Sequence, residues 1–122
     1  MNDRFKYRVY DYDDNKMHDV IEIMYREDNT VIEWLNSKDK KRSAFIGEVP
    51  TVQSTGLKDK NGKLIYEGDI VKETLTDFIN EEIIIVVKWD KLNASYNFEN
   101  LQNCEREVIG NIYENEELLY GR

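Results

Sequence analysis

The run with the most chemical promise is Asp11-Tyr12-Asp13-Asp14-Asn15-Lys16-Met17-His18-Asp19-Val20-Ile21-Glu22. It spaces oxygen-bearing side chains and ends on a glutamate, as an EF-hand loop does around calcium. Two features oppose that reading. Lys16 stands where such a loop needs glycine for its sharp bend, and the residues before it alternate as a strand does instead of forming a helix. The run therefore reads as an acidic hairpin turn, and no metal or other cofactor is expected. His18 is the only histidine and Cys104 the only cysteine, with no spacing that makes them a nucleophile and its base. The acid beside the thiol, Glu105, would raise its pKa and quieten it. What remains for catalysis is pairs of carboxylates, which 25 acidic residues produce by chance. No catalytic residue is assigned, and the chain reads as a non-enzyme.

The densest positive charge is Lys38-Asp39-Lys40-Lys41-Arg42, with Trp34 and Phe45 on either side. Lys40, Lys41 and Arg42 are the candidate contacts to a nucleic-acid phosphate, and the aromatic rings could stack on a base. The net charge of −8 works against this, because it repels a polyanion and leaves few cations to neutralise phosphates. A nucleic-acid partner is disfavoured on that ground, and the alternative that an acidic protein mimics DNA is permitted by the same number. A lone cysteine excludes an internal disulfide and fits a reducing compartment. No apolar run suggests a signal peptide or a membrane span, so cytoplasmic residence without a membrane partner is the expectation.

Holding any such residues requires a folded scaffold. The 122 residues, 40% of them hydrophobic, suffice for one core, and a single domain over 1–122 is expected. Residues 4–11 alternate Phe5, Tyr7 and Val9 with polar neighbours, which predicts a strand. A hairpin leads to a second strand over 17–25, a third follows over 30–35, and 37–43 reads as a solvated loop. A short strand over 44–49 ends at Pro50. Residues 74–80 read as a strand end and loop. The strongest strand is 82–89, where Ile83, Ile84, Ile85, Val86 and Val87 follow one another. Such a run implies burial on both faces, hence a central strand or a subunit contact. Strands over 96–101 and 107–113 follow, with Gly110 marking a bulge or a close backbone approach. Asn115 should cap a short C-terminal helical turn through Leu118 and Leu119. The class is mostly β, as a small barrel or as packed antiparallel sheets.

The stretch from Thr55 to Val71 concentrates the turn signals. Gly56, Asn61 and Gly62 provide positions that tolerate positive φ, Gly68 suits a type II turn, and the Asp69 carboxylate can bond to nearby amides. Taken whole, Thr55-Gly56-Leu57-Lys58-Asp59-Lys60-Asn61-Gly62 running into Tyr66-Glu67-Gly68-Asp69-Ile70-Val71 resembles the signature of the YopX family. Phe5-Lys6-Tyr7-Arg8-Val9-Tyr10-Asp11 is similar to the family's opening motif, and Val108-Ile109-Gly110-Asn111-Ile112-Tyr113-Glu114-Asn115 to its closing one. Tyr10, Ser54 and Glu116 depart from the pattern, where the family usually has tryptophan, an aromatic residue and proline. The resemblance implies a bacteriophage or prophage protein in a bacterial host, with no family activity from which catalytic residues could be carried over. The entry into the strand at Asp69-Ile70-Val71 is also similar to that of SH3-like barrels. The resulting expectation is a protein-interaction or self-assembling module, a homo-oligomer or the partner of a host or phage protein. Trp34, Trp89, Tyr96 and Tyr113 are the candidate interface residues.

Overall fold

The computed structural model describes residues 5–75, 81–92, 94–98 and 104–120. Strand β1 (Tyr7–Asp11) turns tightly into β2 (Lys16–Tyr25), which pairs in turn with β3 (Thr30–Leu35), and β3 with β4 (Lys41–Phe45). The other side of β1 takes β5 (Thr51–Lys58), and β5 takes β6 (Leu64–Tyr66). The result is a six-stranded antiparallel sheet in the order β4-β3-β2-β1-β5-β6. A second sheet has the order β11-β7-β8, formed by β7 (Asp69–Leu75), β8 (Glu81–Val86) and β11 (Cys104–Asn111). The short strands β9 (Trp89–Asp90) and β10 (Ser95–Tyr96) make a hairpin, and one 3-10 turn spans Glu116–Leu119. The chain is thus mostly β with a short C-terminal helical turn, and among the described residues its sheets stay open instead of closing into a barrel.

Period-two burial sets the strand faces. In β3, Ile32 and Trp34 are buried while Val31 and Glu33 are only half covered, so alternate side chains enter one core. That core joins Val9, Ile32 and Trp34, with Val20, Ile23, Ala44 and Val49 packed on it. A second core joins Ile65, Val71, Val87, Tyr96 and Phe98. Ile65 comes from β6 at the edge of the large sheet and Val71 from the small one, so this cluster bonds the two sheets by apolar burial, worth about 25 cal/mol per Å² removed from water.

Several local expectations are corrected. The Ile83–Val87 run does not lie in a central strand: β8 is at the edge of its sheet, Ile83 is exposed and Ile84, Ile85 and Val86 are half-buried. β-branching raises strand propensity at edge and centre alike, so composition cannot tell them apart. Lys41, Arg42 and Ser43 belong to β4 and not to a loop, because alternate residues of that strand, Arg42 and Ala44, turn toward Trp34 and Ile32 across the ladder. The strand ends at Phe45, short of Val49. The strand expected over 96–101 ends at Tyr96, where β10 gives way to a turn, and residues 99–101, residues 76–80 and Arg4 lie outside the described residues.

Candidate functional site

The signature stretch turns out to be a joint. Gly62 has φ +82° and Gly68 φ +85°, the left-handed conformations their turns require, but Asn61 keeps negative φ. The reversal is organised instead by Asp59, whose Oδ1 accepts the N–H groups of Asn61 and Lys63, each at 2.9 Å. Its Oδ2 accepts the Val108 N–H from β11 at 3.0 Å, and the Lys60 N–H bonds to the Arg106 carbonyl. Burial opposes the charge on Asp59, yet these three amides hold its pKa below the ordinary carboxylate range. Gly56, with φ +81°, lies within β5 at a register irregularity and not in a turn. Asp69 Oδ2 accepts the Tyr66 N–H at 2.8 Å, and the carboxyl is 4% exposed. Burial pushes its pKa up to about 6, against the opposing pull of that amide, Arg8 and Lys63. Gly110 stands at the bulge of β11, where a Cβ would lie 2.6 Å from Asn115 Oδ1. Asn115 does precede the 3-10 turn but makes no side-chain cap; its Oδ1 accepts the Asn111 N–H across Gly110 instead.

The acidic hairpin is a second lock. Asp14 Oδ2 accepts the Ser37 N–H, the Ser37 hydroxyl and a hydrogen bond with His18 Nε2 at 2.8 Å. Burial works against this charge, but Ser37 and His18 outweigh it and bring the pKa down to about 2. Buried Asp11 accepts the Asp13 N–H on Oδ1 and the Trp34 indole N–H on Oδ2 at 3.0 Å. Asp11, Asp14 and His18 bring potential ligand atoms within 4.8 Å of one another, so they are the residues that could hold a cation. Protein donors already bond to both carboxylates, an arrangement that pins the hairpin to β3 and the loop after it.

One concave surface is a groove. β1 pairs with β2 only as far as Arg8 opposite Asp19, so Val20 to Tyr25 have β3 on one side and, among the described residues, no strand on the other. A cavity of about 650 Å³ occupies this gap, between Phe5 to Arg8 on one wall, Asp19 to Ile23 with Tyr25 on another, and Leu64 and Tyr66 of β6. Phe5, Ile21 and Tyr25 are exposed along its rim at 66%, 53% and 80%. Arg8 Nε donates to Asp19 Oδ1 at 3.0 Å, and its guanidinium lies over the Tyr66 ring, 5.0 Å from the centroid. Arg8 and Lys63 also line a smaller polar cavity of about 310 Å³ with Asp69, Asn111, Glu114 and Asn115.

The other candidate residues are scattered. Trp34, proposed for an interface, is 2% exposed and belongs to the first core, because its indole N–H is consumed by Asp11. Tyr96 is likewise buried, at 7%, in edge-to-face contact with Trp89, which is 42% exposed. Tyr113 is half-buried and stacked on Tyr10 at 5.7 Å. Arg42 forms an ion pair with Asp13, and Lys41 Nζ lies 3.7 Å from Glu33, while Lys40 is exposed just before β4. His18 and Cys104 belong to different sheets. Arg8 and the β2 gap escaped the sequence reading, since an alternating strand gives no sign of where its neighbour stops.

No curated protein matches the chain in sequence. Among solved structures it is similar to the crystal structure of protein EF1440 from Enterococcus faecalis, with a TM-score of 0.59 and 25% identity over 93% of this chain and 96% of that one. Residues 6–120 match the family model described as YopX protein, so the match takes in the opening motif, the joint and the closing motif together. The chain therefore belongs to the YopX family.

Proposed function

We propose that this YopX-family chain is a non-enzymatic protein-interaction module, an accessory protein of a phage or prophage working in the cytoplasm of the bacterial host. The observation that carries the reading is the groove over β2, an open cavity with exposed Phe5, Ile21 and Tyr25 on its rim. Exposed large apolar side chains gathered around a concavity are the usual mark of a surface meant to be covered. The structural hydrogen bonds of the acidic hairpin's carboxylates and the pairing of Arg42 and Lys41 with acids support binding of protein over catalysis or phosphate contact.

The test is capture from a lysate of the bacterium that carries the gene, comparing the native chain with the double variant Ile21→Asp, Tyr25→Asp. Both positions are exposed, so the variant should keep its circular dichroism spectrum and thermal transition. A protein retained by the native chain and lost by the variant is the expected result. Equal retention by both would remove the groove from the account.

Self-association is a second reading, favoured by a different observation. β8 presents Ile83, Ile84 and Ile85 along an edge that no other described strand covers. Small sheets commonly protect such an edge by pairing it with a copy.

A further inference from the structure

The open side of β2 has a backbone as well as side chains. Arg26 N–H bonds to the Asn29 carbonyl, and the β2–β3 register runs unbroken from Glu22 opposite Glu33 to Tyr25 opposite Thr30. In an antiparallel ladder, successive residues direct their N–H and C=O groups to opposite sides. Glu22 and Met24 therefore bond to β3, and the N–H and C=O groups of Ile23 and Tyr25 point into the groove.

The cations at the closed end of the groove keep donors to spare. Arg8 uses Nε on Asp19, and its terminal nitrogens bond to no described residue. Lys63 donates its backbone amide to Asp59, and its ammonium, which acts through space on the Asp59 and Asp69 carboxyls, makes no ion pair with a described residue. Both cations line the groove.

We infer that the groove binds an extended protein segment by strand addition to β2, antiparallel to it and in line with β1, with an acidic side chain of the segment seated between Arg8 and Lys63. The inference rests on the interaction-module reading and specifies its partner. Main-chain bonds to Ile23 and Tyr25 supply affinity without regard to sequence, and side chains at alternate positions supply the selection. One side chain of each pair meets the rim at Phe5, Ile21 and Tyr25 and is therefore apolar; the acid at the Arg8 end completes the charge pairing.

The experiment uses the full chain and a library of acetylated pentapeptides that alternate apolar and polar residues, half ending in glutamate and half in glutamine. Immobilised native protein should enrich the glutamate half about five-fold, the equivalent of roughly 1 kcal/mol. The enriched peptides should shift the amide resonances of Ile23 and Tyr25 and slow their hydrogen exchange. Lys63→Glu, at an exposed hairpin position, should erase the preference while leaving the fold unchanged. Equal recovery of the two halves, or shifts confined to other strands, would overturn the inference. If the peptides fail in this way while lysate capture still depends on Ile21 and Tyr25, the strand-addition mode falls and the interaction module stands; if capture is also independent of those residues, both fall.

Discussion

Val108 and Asp59 lie 49 residues apart and are joined by one hydrogen bond, from the Val108 N–H of β11 to Asp59 Oδ2 at 3.0 Å. The other oxygen of the same carboxylate shapes the β5–β6 hairpin. One side chain thus folds a turn and docks it on the opposite sheet. Asp59→Asn separates the two jobs, because an amide can keep the hairpin bonds on its oxygen but turns an N–H toward the Val108 N–H. The expected cost is about 1–3 kcal/mol, the usual penalty for a buried donor left without an acceptor. Hydrogen exchange should accelerate at Val108 while Lys63 stays protected, and retention of protection at both would contradict the joint.

Asp69 links stability to pH in an unusual direction. Its folded pKa, about 6, lies above the ordinary value of 3.8, so the folded state holds a proton that the unfolded state has released. This contribution is present below pH 4 and is lost as pH rises through 6, by at most roughly 3 kcal/mol. Asp14 acts in a separate window, since its depressed pKa adds stability as pH climbs from about 2 toward 4, and Asp59, also depressed, acts in the same direction. Asp69→Asn can still accept the Tyr66 N–H and carries no charge. Denaturation midpoints of this variant should fall less between pH 4 and 7 than those of the native chain; parallel curves would show that Asp69 does not control the window.

The two tryptophans should report different surroundings. Trp34 is 2% exposed with its indole N–H on Asp11, and Trp89 is 42% exposed. Trp89→Phe should leave blue-shifted emission that resists acrylamide quenching. Trp34→Phe should leave red-shifted, readily quenched emission and cost about 1–3 kcal/mol, because Asp11 Oδ2 keeps its buried place without a donor.

These residues also show where local sequence is informative. The turn residues Glu27, Asp28 and Asn29 located β3 to the residue, because the apolar run that follows them, with Ile32 and Trp34 facing a core, is a property of the strand itself. Gly62 and Gly68 announced their turns because a positive φ restricts residue choice. Nothing near Asp59 names Val108, and nothing near Asp11 names Trp34; such pairs come from topology. The same holds for β8, whose edge position depends on no described strand lying on its other side, and for the groove, which exists because β1 ends its pairing at Arg8.

Two glycines offer a controlled comparison of strain with crowding. Gly62 has positive φ and open space where a Cβ would go, so Gly62→Ala should cost about 1 kcal/mol through backbone conformation alone. At Gly110 the Cβ would meet the Oδ1, Cβ and Cγ atoms of Asn115 at 2.6 to 2.8 Å. Gly110→Ala should therefore cost more, about 1–3 kcal/mol, by overpacking. The double variant Gly110→Ala, Asn115→Gly removes all three atoms and should recover part of that loss in urea titrations. Failure to recover any would mean that the backbone, and not the contact, requires glycine there.

The edge of β8 allows self-association to be tested atom by atom. Val87 N–H bonds to the Asp69 carbonyl, so residues 83, 85 and 87 direct their amides to β7 and residues 82, 84 and 86 direct theirs outward. The Val86 carbonyl already accepts from Asn97 Nδ2, which leaves Glu82 and Ile84 as the free length of the edge. A two-fold axis through Ile84 pairs Ile84 with its own copy and lets the Val86 N–H, though not its carbonyl, bond to Glu82 of the copy. Proline at 84 deletes an outward amide and no bond to β7, so Ile84→Pro should leave the small sheet intact. Light scattering should give a dimer for the native chain and a monomer for Ile84→Pro and for Ile84→Lys, which adds like charge at the axis. A native chain that stays monomeric at high protein concentration would leave β8 an unpaired edge, protected only by its short free length and by Glu81 and Glu82 at its end.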